Sequence, residues 1–423
     1  MLKKLISGIL LLISVKIYAQ EYKTFEYAWI QLGSEGEISA RLITKKTSCP
    51  LITLDNKKKP MSLRGYYNHS FPVNVCEAII PKTVKKVTVD NQVLVLPKKN
   101  PTRLVIVGDT GCRIKYSNIQ NCSDPAKWPF AKIIQKADEF KPDLVIHLGD
   151  YYYRETPCLN NKNCLNSPYG NHWQTWKADF FQPTKPLLQH APWVFVRGNH
   201  ENCDRGGKGW FRFLANGPYH DKCEIHSPPF IIPLGNEQLF IMDSSAASDI
   251  SILKSQVKFL KPDFELLNKQ TKPTWLISHK PFWGVGLFQI KDIHLDKFFV
   301  TSLQRASNNE FKSNVKMILS GHVHLFQTLN IQGQPVQVIA GNGGSRLQTV
   351  NYSNLSGIKL NKMKVDSGIN IVEFGYLTLE KSHHVWKGFM RNKEGKILAQ
   401  CQLIDQKFIC DKKNIENHTA KKG

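Results

Sequence analysis

No Cys-x-x-Cys pair occurs anywhere in the 423 residues, although ten cysteines are present. Zinc ribbons and thioredoxin-type redox sites use that spacing, so neither is expected. Beyond the first 20 residues the chain also lacks any run close to the roughly 20 apolar residues that a spanning helix needs. Internal repeats and low-complexity segments are missing as well, which sets repeat architectures aside. Acidic residues are scarce, 34 against 57 lysines and arginines, for a formal net charge of +23. Such a field draws anions, including nucleic acid and acidic membranes. Yet the lysines are scattered through Lys57-Lys58-Lys59, Lys85-Lys86, Lys98-Lys99 and the tail. No RRM, zinc-finger or helix-turn-helix signature accompanies them, so a solvated basic surface is expected and no specific nucleic-acid module.

The opening stretch, MLKKLISGILLLISVKIYAQ, places Lys3 and Lys4 before a short apolar run and closes on Ile17-Tyr18-Ala19. This predicts a signal peptide over 1–19 and export, periplasmic or extracellular, with no transmembrane segment after cleavage. Losing Lys3, Lys4 and Lys16 would lower the charge from +23 to +20. The even number of cysteines, lying in near neighbours, agrees with an oxidising compartment. The simplest pairing joins Cys49 with Cys76, Cys112 with Cys122, Cys158 with Cys164, Cys203 with Cys223 and Cys401 with Cys410, though sequence alone does not prove connectivity.

Residues 20–98 read as short strands (FEYAWIQL, EISARLIT, VKKVTVD, QVLVLP) separated by turns, which predicts a small all-β sandwich domain. A proline-flanked linker, Pro97-Lys98-Lys99-Asn100-Pro101, follows. From 101 to 400 the texture changes. Apolar strands end at RLVIVGD (103–109), DLVIHLGD (143–150), WVFVRGNHE (193–201), TWLISHKP (274–281) and VKMILSGHVH (315–324), with helical patterns around 129–140 and 251–268. That alternation predicts a layered α/β domain, closed by strands near 370–390 and followed by a C-terminal strand and tail over 401–423.

Five of those strands end in polar clusters: Asp109; Asp150 with Tyr153; Asn199 with His200; His279; His322 with His324. The carboxyl ends of strands in open α/β sheets form the ligand crevice, so distant motifs would meet at one spot. Aspartate, asparagine and phenolate are hard oxygen donors, and imidazole suits iron, zinc or manganese. Taken singly, each residue is weak evidence: a lone histidine after a strand is more often structural, and an aspartate there commonly caps a turn. Their occurrence together, in order, is what carries the inference.

The motifs GDTG, GDYYY, GNHE, SHKP and GHVH resemble the calcineurin-like metallophosphoesterase superfamily, and Gly149-Asp150-Tyr151-Tyr152-Tyr153 resembles its purple acid phosphatases. The resemblance covers about 101–345. It implies a metallophosphoesterase sandwich with mixed sheets, α/β (α+β layered), behind an N-terminal β-sandwich. It implies one metal held by Asp109, Asp150, Tyr153 and His324, and a second held by Asp150, Asn199, His279 and His322. The ions implied are Fe(III) and a divalent ion (Fe, Zn or Mn), with a hydroxide on them as nucleophile and His200 assisting the leaving oxygen. Tyrosine has a free pKa near 10, so a phenolate at Tyr153 needs a strongly polarising partner such as trivalent iron. Tyr151, Tyr152 and His147 take packing roles.

The resulting expectation is an exported acid-phosphatase-type hydrolase of small phosphomonoesters. The alternatives are a phosphodiesterase or nucleotide-cleaving enzyme on the same metals, and a non-catalytic iron- or polyanion-binding protein. Arg113, Arg197 and His294 are candidate substrate contacts, each as readily structural. One departure stands out: Gly111 occupies the place of the superfamily's common histidine, consistent with Tyr153 substituting for it.

Overall fold

The computed structural model describes residues 25–412 except 160, 250, 291–292, 300, 351, 353 and 361, and leaves the side chains of 287–301 and 412 undescribed. The expected signal segment at 1–19 and the end of the tail, 413–423, therefore lie outside the described residues.

Short strands that are apolar on both faces organise the molecule. Arg103–Val107 turns Leu104 and Ile106 into one core and Val105 and Val107 into another. Strands buried on both sides read as continuous apolar runs, which is why RLVIV shows no alternation. This strand pairs in parallel with Leu144–His147, which pairs in parallel with Trp193–Phe195. Together they form the middle of an eleven-stranded sheet. A second, eight-stranded sheet carries Glu237–Met242, Thr274–Ser278, Val315–Ser320 and Val336–Ala340 in parallel.

The two sheets share a core in which Ile106, Ile146 and Val194 join Ile241, Trp275, Ile277, Leu319 and Val338. Truncating Ile106 to alanine there would cost about 2–5 kcal/mol. Helix Phe130–Glu139 covers the outside of the first sheet with Phe130, Ile133, Ile134 and Ala137, a stripe at helical spacing. Helix Lys254–Asn268 covers the second with Leu260, Phe264 and Leu267. The expected α/β layers are present, and antiparallel strands such as Gly375–Ser382 beside Arg103–Val107 make the first sheet mixed.

The strand-rich N-terminal region is continuous with this architecture. Tyr27–Leu32, Ile38–Thr44, Asn74–Ile80 and Ser62–Gly65 extend the eleven-stranded sheet, joined to it where Gln31 pairs with Trp193. A four-stranded sheet containing Leu51–Leu54 and Val87–Val89 shares a core with them through Ala28, Ile30, Leu42, Ile52 and Val87. Several of these strands lack the alternation that reveals a strand in sequence. Lys57–Pro60, for example, is an exposed edge strand made of three lysines and a proline.

All ten cysteines pair, and they do so between the near neighbours named above. Among the described residues no helix is long and apolar enough to cross a membrane.

Candidate metal centre

The carboxyl ends of parallel strands from both sheets open onto one crevice. Asp109 follows Arg103–Val107, Asp150 and Tyr153 follow Leu144–His147, and Asn199 and His200 lie in the turn Asn199–Glu201 after Trp193–Phe195. His279 follows Thr274–Ser278, and His322 and His324 follow Val315–Ser320. Asp109, Asp150 and His322 hold left-handed backbone, with φ of 57°, 59° and 69°. Few non-glycine residues adopt that region, and those that do gather at functional sites.

Two glycines show how tightly the loops meet. A Cβ on Gly198 would lie 2.2 Å from both the backbone nitrogen and Oδ1 of Asp150. A Cβ on Gly111 would lie 2.8 Å from Tyr152 Cα and Tyr153 N, so the tyrosine loop occupies the space that a side chain at 111 would need.

Asp150 sits between two groups of donors. On one side its Oδ2 accepts from the Tyr153 hydroxyl at 2.7 Å, and that hydroxyl also lies 3.0 Å from Asp109 Oδ1 and 3.0 Å from His324 Nε2. On the other side its Oδ1 lies 3.3 Å from His279 Nε2, which is 3.0 Å from Asn199 Oδ1. One ligand atom each from Asp150, His279 and His322 fall within 4.8 Å of one another. Asp109 also ties the groups together, since its Oδ2 accepts the His322 backbone N–H at 2.8 Å. All seven candidate ligands thus meet in one place.

Local hydrogen bonds orient the imidazoles. His279 Nδ1 lies 2.8 Å from the Leu148 carbonyl and His324 Nδ1 2.7 Å from the Arg346 carbonyl. A carbonyl only accepts, so each Nδ1 carries the proton and each Nε2 faces the cluster, the arrangement that metal-binding histidines use. The electrostatics fit cations. Asp109 and Asp150 are 0% and 1% exposed, and among the described residues no lysine or arginine pairs with either.

Burial opposes ionisation of Asp150, but His279 and His200 outweigh it and hold its carboxyl well below the usual range. Burial likewise opposes charge on His279, yet Asp150 above all pushes its pKa up to about 9. A proton at His279 Nε2 therefore reconciles acceptors that a cation would serve better. Tyr153 keeps its proton well above the ordinary phenol value, because burial and the charges of Asp109 and Asp150 disfavour the phenolate. Only a cation among these oxygens reverses that preference.

The remaining candidates sit differently. The His200 ring packs against the Tyr153 ring, tilted by 37° with centroids 3.7 Å apart, and its backbone N–H donates to Asp150 Oδ1 at 2.8 Å. Its Nδ1 lies 2.7 Å from Glu155 Oε1, close but out of line for a hydrogen bond. Burial lowers its pKa to about 4, against Asp150 and Glu155, which raise it. Arg113 lies 4.7 Å over the Tyr153 ring, half-buried, and among the described residues no carboxylate pairs with it.

Arg197 is engaged elsewhere: it donates to the Glu201 and Glu224 carbonyls and pairs with Asp243 at 3.0 Å. His294 belongs to strand Ile293–Phe299, and its side chain lies outside the described residues. Tyr151 packs against Phe180 and Trp176, Tyr152 against Trp176, and His147 stacks on Tyr151 and meets Thr110 Oγ1 at 2.9 Å.

Three supporting acids were given no role by the motif reading. Glu201 accepts the backbone N–H groups of Asp150 and Tyr151, both at 2.9 Å, and burial with the Asp150 charge raises its pKa to about 8. Asp179 accepts the Tyr153 backbone N–H at 2.9 Å while paired with Arg154. Asp249 lies 3.3 Å from His322 Nε2. Glu201 is visible within GNHE; the other two carry no local signal.

With the geometry established, comparison with known proteins identifies the group. No curated protein matches the chain. Among solved structures, the purple acid phosphatase PPD1 from yellow lupin (Lupinus luteus) seeds shares the fold with a TM-score of 0.58 at 15% identity, over 89% of this chain and 73% of that one. A structure of PhoD does so with a TM-score of 0.54 at 12% identity, over 94% of each chain. The calcineurin-like phosphoesterase family model matches residues 102–326, just over half of the chain and the whole span from Asp109 to His324, so this protein belongs to the calcineurin-like phosphoesterase family.

Proposed function

We propose that the chain is an exported dinuclear-metal phosphoesterase that hydrolyses small phosphomonoesters, of the acid-phosphatase type. The observation that carries this reading is the position of Asp150, whose two carboxylate oxygens face two different donor groups. Asp109, Asp150, Tyr153 and His324 would hold one ion, and Asp150, Asn199, His279 and His322 the other. Asp109 and Asp150, which pair with no lysine or arginine among the described residues, and a phenol whose ionisation needs a cation, support Fe(III) in the first position beside a divalent ion. Two such ions supply Lewis-acid polarisation of the phosphoryl oxygens and a water acidic enough to attack.

The chain's own residues do the rest. Arg113, with no carboxylate partner among the described residues, would offer its guanidinium fork to two phosphoryl oxygens. Burial holds the His200 pKa down to about 4, and a phosphate dianion beside it would favour its protonation. It then holds a proton where the leaving oxygen departs. Export is supported by the five disulfides, which persist in oxidising compartments.

Aerobically purified protein should contain two metal ions per chain and show a visible band that Tyr153→Phe abolishes. A colourless, fully active zinc or manganese protein would reject the iron–phenolate assignment. The protein should cleave p-nitrophenyl phosphate faster than its bis ester; strong preference for the diester would replace the phosphatase reading with a phosphodiesterase.

A further inference from the structure

Two of the acids near the crevice act on the same histidine from opposite ends. The backbone N–H of His322 is held by Asp109 Oδ2 at 2.8 Å, and its ring Nε2 lies 3.3 Å from Asp249 Oδ2. Asp249 belongs to the segment after strand Glu237–Met242, 73 positions before His322 and outside every motif described above. Its other oxygen accepts from Lys280 Nζ at 2.6 Å, and the same ammonium donates to the Ala247 carbonyl at 2.6 Å. Lys280 is 5% exposed and directly follows His279. Its backbone N–H donates to Ser244 Oγ at 2.9 Å, so the segment is pinned to the SHKP turn through both main chain and side chain.

These contacts close a ring. His279 leads through the backbone to Lys280, then by ion pair to Asp249, then to His322, and His322 and His279 meet again in the group that contains Asp150. We infer that Asp249 is a positioning residue for the second metal ion: it engages His322 Nε2–H, which leaves the lone pair on Nδ1 and fixes the ring plane toward Asp150 and His279. Lys280 supplies the counter-charge that holds the carboxylate in place. An imidazole whose far nitrogen is bound by a carboxylate is a more basic and better oriented ligand, and removing such a partner typically weakens metal binding about 10–100-fold. The inference rests on the dinuclear reading above and adds to it a determinant of how firmly one ion is held relative to the other.

The test is calorimetric titration of chelator-stripped protein with Zn2+, which reads ion binding without reference to activity. Wild-type protein should take up two ions. Asp249→Ala should weaken one of them about 10–100-fold and leave the other unchanged. Asp249→Asn, which keeps the shape and one acceptor toward His322, should recover part of that loss. On a His322→Ala background, Asp249→Ala should add nothing, because the carboxylate acts through the imidazole. Two ions bound with wild-type affinities by Asp249→Ala would overturn this inference alone. So would complete loss of one ion in both Asp249 variants, which would make Asp249 a ligand in its own right. Fewer than two ions on the wild type would instead overturn the dinuclear reading.

Discussion

Two buried clusters of charge in this chain are neutralised in opposite ways. In the N-terminal sandwich, Glu77 receives Arg41 Nε at 2.7 Å, Arg64 Nη1 at 3.0 Å and Ser39 Oγ at 2.7 Å. The spare guanidinium donors go to carbonyls of Phe211, Phe213, Ala215 and Gly217. Around Asp150, by contrast, the described partners are imidazoles, a phenol and backbone N–H groups. The first cluster is complete in itself and fastens the sandwich to the 211–217 segment. The second is complete only when something positive enters it. The partly buried Glu77, its side chain 19% exposed, and the buried Asp150, at 2%, thus have opposite purposes, and the permanence of the neighbouring charge tells them apart.

The comparison can be broken most severely at Asp150. Asp150→Ala removes the one carboxylate common to both donor groups, so it should release both ions and lower kcat/KM on the order of 10³-fold, read by metal analysis and steady-state kinetics.

Glu77→Ala should behave in the reverse sense. It strands Arg41, which is 1% exposed, and should cost about 3 kcal/mol in denaturant unfolding while metal content stays at the wild-type value. Normal stability in that variant, or a changed metal content, would remove the distinction between the clusters.

The smallest effect sharpens the contrast through pH. Burial resists ionisation of Glu77, but Arg41 and Arg64 outweigh it and pull its pKa down to about 2 from an ordinary value of 4.5. Between those values the unfolded chain binds the proton and the folded chain does not, so stability rises with pH there. The contribution is present in full above about 4.5 and is lost as pH falls toward 2. Chemical unfolding of metal-free protein at pH 5 and pH 3 should show this loss, and Glu77→Gln should flatten it. An equal slope in wild type and Glu77→Gln would assign the acid sensitivity elsewhere.

Much of the candidate site was legible because its residues stand next to strong local signals. Asp109, Asp150, His279 and His322 each end an apolar run, and a parallel strand buried on both faces is hard to miss. Strands such as Lys57–Pro60 and Asn74–Ile80 were less legible, since edge strands and strands with mixed partners need no simple alternation. Arg197 lies only two residues before Asn199, yet its guanidinium turns to Asp243 and the Glu224 carbonyl. Sequence proximity to a motif says which loop a residue occupies and not which way its side chain leaves it.

By itself, the order of residues determined the family motifs, the layered class of the fold and the even set of cysteines, because each depends on chemistry within a few positions of the chain. Tertiary structure alone decided that Asp150 divides its oxygens between two donor groups, and that Asp179 and Asp249 hold Tyr153 and His322 from 26 and 73 positions away. The physical reason is distance along the backbone. Hydrogen bonds and ion pairs between such remote residues are set by how the strands of the two sheets come into register, and no short stretch of sequence encodes that.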